Sequence, residues 1–136
     1  MSYAISAALQ EAVYQTLAAD ISLSAMVGGA IYDALPSGTA PDLYISLGPE
    51  TARDASDKTG YGAVHLFTVS VISDAPGFAK AKAVAASICD ALVDTPMALT
   101  RGRCVSLQFD QARAARTENS NSRQIDLRFR ARVEDS

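Results

Sequence analysis

Cysteine and histidine are almost missing from this 136-residue chain, which has two of the first and one of the second. Cys89 lies in a helical pattern and Cys104 opens a strand-like one. That is neither a metal-ligand spacing nor a disulfide framework, so both read as unpaired thiols in a reducing cytoplasm. His65 alternates on one face with Phe67, Val69 and Val71. No G-x-S-x-G, H-x-E or H-E-x-x-H pattern supplies it with a nucleophile or a metal, which makes it a structural residue in this reading. Long apolar runs are lacking too. Nothing approaches the roughly 18 consecutive apolar residues of a membrane span, and no basic-then-apolar leader opens the chain. The expectation is a soluble protein without a targeting signal.

Phosphate-binding signatures are equally absent. The stretch VGGAIYDALPSGTAPDLYISLG, residues 27–48, has a glycine pair and two prolines. It has no Lys-Ser/Thr after Gly28, as a P-loop requires, and its adjacent glycines do not match a dinucleotide fingerprint. It reads as turns around two strands. The acids Asp20, Asp33, Asp42, Asp54, Asp57 and Asp74 are scattered at turn and cap positions, so nothing local predicts a carboxylate metal site. Tyr14, Tyr32, Tyr44 and Tyr61 are not interleaved with basic residues, as single-strand nucleic-acid binders require.

What is present is an ordinary core-forming composition, 49% hydrophobic and 20% charged, in a length that fits one domain, residues 1–136. The net charge of −3 argues against an electrostatic nucleic-acid binder. The charge is unevenly placed. Residues 1–100 hold ten Asp/Glu against four Lys/Arg, and residues 101–136 hold five against eight. The chain has an acidic front and a basic end.

Periodicity supplies the elements. Ile5, Leu9, Val13 and Leu17 recur at i, i+4 on an amphipathic helix that Ser2 is placed to cap, and a short helical turn from Ser22 runs to Gly28 and Gly29. Short strands are expected at residues 30–35 and 43–47, then a long polar loop over 49–62, then an alternating strand over 63–72. Asp74 and Pro76 signal a second helix with the stripe Ala81, Val84, Ala85, Ile88 and Leu92, which Pro96 closes. Val105, Leu107 and Phe109 form one face of a further strand. In the last strand, Ile125, Leu127, Phe129, Ala131 and Val133 point inward, opposite Gln124, Asp126, Arg128, Arg130 and Arg132. Between these two strands residues 111–123 read as a long flexible tip. The fold class is α+β, a largely antiparallel sheet of four to five strands with two main helices on one face.

Taken in order, TLAADISLSAMVGGAIYDALPSGTAPDLYISLGPE, RDASDKTG, HLFTVSVIS, GFAKAKAVAASICDAL and RGRCVSLQFDQARAARTENSNSRQIDLRFRARVE closely resemble the small tail-completion, or tail-terminator, proteins of long-tailed bacteriophages. Within that family the chain looks most like those of gene transfer agents. GGAIYDALPSG and YISLGPE, in that order, carry most of the resemblance. The resemblance implies a subunit of a homohexameric ring at the head-proximal end of a tail tube. Such a ring halts tube growth and joins the tube to the neck, with the tail tube protein and a neck, stopper or adaptor protein as its partners. Double-stranded DNA would pass through its lumen without specific binding. It further implies assembly in the bacterial cytoplasm, release within a phage-like particle, and no catalytic residue, cofactor, metal or membrane contact. A small-molecule or nucleotide-binding domain is the competing reading.

The family offers no motif from which contact residues carry over, so the candidate interface comes from charge. It comprises Arg53, Asp54, Asp57 and Lys58 in the first polar loop, Arg113, Arg116 and Arg123 in the second, and Arg128, Arg130 and Arg132 on the outward face of the last strand. The three outward arginines either blunt an exposed sheet face or meet an acidic partner. Because the front of the same chain is acidic, that partner can be another copy, front to back, which gives a ring if the rotation closes.

Overall fold

The computed structural model describes residues 3–33, 41–57, 60–117 and 122–135. In chain order the elements are α1 (Ser6–Ala19), α2 (Ile21–Val27), β1 (Ile31–Tyr32), β2 (Leu43–Asp54), β3 (Tyr61–Ser73), α3 (Ala79–Leu92), β4 (Arg103–Arg116) and β5 (Arg123–Asp135). One five-stranded sheet runs β1-β2-β3-β5-β4. It is mixed, because β1 pairs parallel to β2 while every other pair is antiparallel. The α+β class and the helix-covered sheet are as expected, with α2 as a third helix.

The i, i+4 stripe of α1 puts Leu9, Val13 and Leu17 against the sheet, with Ile5 at its entry, all buried. Ile5 occupies the N-cap without a side-chain bond, and Ser2 lies outside the described residues. Asp20 caps α2 by accepting the Leu23 N–H at 3.0 Å. Gly28, at φ 60°, ends it in the left-handed conformation that L side chains avoid. The stripe predicted for α3 is buried throughout. Its start is a correction: Phe78, not Asp74, holds the N-cap position. The Asp74 carboxylate instead accepts the Ser122 hydroxyl at 2.7 Å, tying the β3–α3 turn to the tip of the last hairpin.

On the helix side of the sheet, Ile45, Val69, Val71, Ile125, Leu127, Phe129, Ala131 and Val133 form the core. Phe129 is fully buried, stacked on Phe67 with ring centroids 5.6 Å apart and met edge-on by Phe109 at 6.2 Å. Among the described residues no helix is long and apolar enough to cross a membrane.

Both long polar loops are corrected. Residues 49–54 continue β2, which passes Gly48 and Pro49 through a register shift between Leu47 and Glu50. An irregularity of this kind admits a residue without a ladder N–H. The hairpin then closes through Ala55 N–H to the Gly62 carbonyl at 2.8 Å and a bridge between Asp57 and Gly60. Residues 111–116 likewise continue β4, and the connection to β5 is tied by Thr117 N–H to the Ser122 carbonyl at 3.0 Å. The first expected strand is also shorter, since β1 ends at Tyr32 and residues 34–40 are outside the described residues. On β4 the expected apolar face is broken by register shifts at Cys104/Ser106 and Phe109/Gln111. Only Leu107 is buried there, and Val105 and Phe109 are nearly half exposed.

Candidate assembly surface

Register decides where the charges stand, because directly paired residues share a face of the sheet. Arg128, Arg130 and Arg132 pair with Thr68, Leu66 and Val64 of β3, and Arg53 pairs with Val64 from the other side. Arg113 pairs with Asp126. All five arginines therefore lie on the face that the helices leave uncovered, around a shallow apolar strip that includes Val64 and Leu66.

These arginines are not equivalent. Arg128 donates from Nε to Asp110 at 2.6 Å and from a terminal nitrogen to Gln111 at 3.1 Å. Asp110 is the residue that the second β4 register shift sets between Phe109 and Gln111. Arg132 donates to the Ala55 carbonyl at 3.1 Å and lies over Gly62, where a Cβ would come within 3.1 Å of it. Two of the three outward arginines thus have partners within the chain. Arg130, Arg53, Arg113 and Arg116 are exposed and have no ion pair or hydrogen bond among the described residues. The guanidinium of Arg123 sits over the Phe78 ring, 5.6 Å from its centroid. Asp54 accepts the Ser56 hydroxyl at 2.6 Å, which holds its pKa below the usual carboxylate value. Lys58 lies outside the described residues. Arg101 and Arg103 pair with Asp135 and Glu134, tying the start of β4 to the end of β5.

The two groups of candidate loop residues do not come together. Asp54 of β2 is level with Ala63, Val133 and Cys104, whereas the tip beyond Arg116 and Arg123 is level with Ser73 and Leu43. The β2–β3 turn and the β4–β5 tip therefore project from opposite ends of the sheet.

A partly buried polar cluster around a fully buried histidine lies on the helix side. Glu50 accepts from the hydroxyls of Tyr3 and Ser6, the latter at 2.7 Å, and meets His65 Nδ1 at 3.1 Å. Tyr3 stacks on the imidazole with centroids 6.1 Å apart. His65 is fully buried and its Nε2 has no partner among the described residues. Burial is the largest single influence on Glu50 and pushes its pKa up. The three hydrogen bonds and the attraction of His65 outweigh it and bring the pKa below the ordinary 4.5. The cluster fastens the entry of α1 to β2 and β3. The sequence points to a structural histidine but not to its carboxylate, because Glu50 sits in a polar stretch that reads as a loop.

The thiols of Cys89 and Cys104 are unpaired and half buried, and burial raises the pKa of both. No group of three His, Cys, Asp or Glu side chains among the described residues is placed to hold a metal ion.

The chain is an α+β body whose two hairpin ends lie at opposite ends of one sheet. The chain belongs to the tail completion protein gp17 family, whose sequence profile matches residues 11–134. It is also similar in structure to a chain of the virion of a native gene transfer agent particle. The TM-score is 0.93 at 59% sequence identity, over 98% of this chain and 99% of that one. No curated protein matches it.

Proposed function

We propose that this chain is a tail terminator, a homohexameric ring that caps the head-proximal end of a tail tube and joins it to the neck of a phage-like particle. The observation that carries the reading is the placement of the two hairpin ends at opposite ends of one rigid sheet. A ring of such subunits offers one circle of tips to the tube protein and another to the neck, stopper or adaptor protein. Membership of a tail completion family and the likeness to a gene transfer agent virion chain support it. In this reading the subunits assemble in the bacterial cytoplasm and leave in the particle. DNA crosses the lumen without sequence readout, and no reaction or cofactor is involved. The competing nucleotide-binding reading has little support. The groove between α1 and the β1–β2 pair carries Glu11 and Asp33 and, among the described residues, no basic side chain, a poor match to phosphates.

Negative-stain imaging of the purified protein tests the proposal. The expected result is a ring with a central hole and sixfold symmetry. A field of monomers at all concentrations, or an open filament, contradicts it.

A further inference from the structure

The two edges of the sheet are unlike. At one edge, every residue of β4 from Gln108 to Ala114 is exposed. Among the described residues this stretch forms its ladder with β5 alone. A strand solvated on both faces gains little from its own core, and edges of this kind are normally covered or paired. The stretch carries half-exposed Phe109 and Arg113, with Arg116 just beyond it, and neither arginine side chain has an ion pair or hydrogen bond among the described residues. At the opposite edge a groove of about 580 Å³ runs between α1 and the β1–β2 pair. Its walls include Tyr3, Ser6, Tyr14 and Leu47, and its charges are Glu11 and Asp33. Both acids are exposed and have no partner among the described residues.

We infer that this groove receives the exposed β4 arm of a second copy of the chain, with Arg113 and Arg116 set against Glu11 and Asp33 and Phe109 near the tyrosines. The inference rests on the homo-oligomeric reading above. The complementarity is of charge, basic arm to acidic groove, and of position. The two surfaces differ and lie at opposite edges of one sheet, so each copy uses one surface on each neighbour. That is a head-to-tail contact, which closes into a ring or continues as a filament according to its rotation.

Sedimentation velocity of the full chain tests the contact with two variants, Arg113→Glu/Arg116→Glu and Glu11→Arg/Asp33→Arg, each checked by circular dichroism. Each alone sets like charges against each other and should associate roughly tenfold or more weakly than wild type. An equimolar mixture of the two should recover assembly, because each arm then finds an opposite groove and the copies alternate. Should the groove variant fail to fold, Glu11→Gln/Asp33→Asn takes its place, with a loss of about threefold expected. Variants that assemble as wild type, or folded charge-reversal variants that stay apart when mixed, overturn the contact and leave the homo-oligomeric reading standing. Wild type that stays monomeric overturns both.

Discussion

Gly102→Ala should destabilise the fold by about 2–5 kcal/mol, a large part of the roughly 5–15 kcal/mol by which such domains are stable. Gly102 turns the chain from the α3–β4 connection into β4 at φ +69°. An alanine there must adopt a left-handed backbone, and its Cβ would stand 2.5 Å from the Glu134 carbonyl oxygen and 2.5 Å from Ile5 Cδ1. The first obstacle is backbone of β5, held in the ladder and by the Arg103–Glu134 pair. The second is a fully buried side chain at the entry of α1. The Ile5 methyl can rotate only by repacking the core, and the Glu134 carbonyl is backbone, so relief of the first contact requires moving a strand. Urea denaturation measures the loss, and Gly60→Ala is the internal control. Among the described residues nothing lies within 4 Å of a Cβ at Gly60, so its change should stay within about 0.5 kcal/mol.

Glu50→Ala is expected to cost about 2–4 kcal/mol, since it strips three donors of their acceptor beside an imidazole whose other nitrogen is already unpartnered. The pH dependence identifies the cause. The pKa of Glu50 is lower in the folded protein than in the unfolded chain. Its ionised form therefore contributes stability that is fully present above the ordinary carboxylate range and is lost as pH falls through the folded value. Glu50→Gln removes the titration while keeping the volume. The stability gap between wild type and this variant should narrow as pH drops below about 4.5. Parallel stability curves between pH 7 and pH 3 would show that the carboxylate's charge contributes nothing.

The elements with one buried face were legible from the residues alone. α1, α3, β3 and β5 each repeat apolar side chains at their own period because one side meets the core; burial follows those stripes in α1, α3 and β5, while central β3 also buries Val64 and Ser70 of its other face. The second half of β2 and the distal half of β4 read as loops in the sequence for the opposite reason. Beyond the two residues that β1 pairs, β2 forms the sheet edge, and β4 is solvated on both faces. A strand without a buried face carries no alternation, and its polar composition imitates a loop. The parallel pairing of β1 was hidden as well, because a two-residue strand has no pattern to read.

Of the charged residues, the sequence showed which side of β5 the arginines take but not what they meet. Arg128 is satisfied by Asp110 only because a register shift turns that residue toward it. Glu11 and Asp33, 22 positions apart in the chain, come to line one groove only once α1 lies beside β1. Long-range register carries that information, and no local window contains it.

The central claim is that this chain completes a tail and joins it to the head. Electron microscopy of lysates from producing cells in which the gene is deleted tests it most directly. The account predicts DNA-filled heads without properly joined tails. Normally tailed particles in the deletion strain would contradict it.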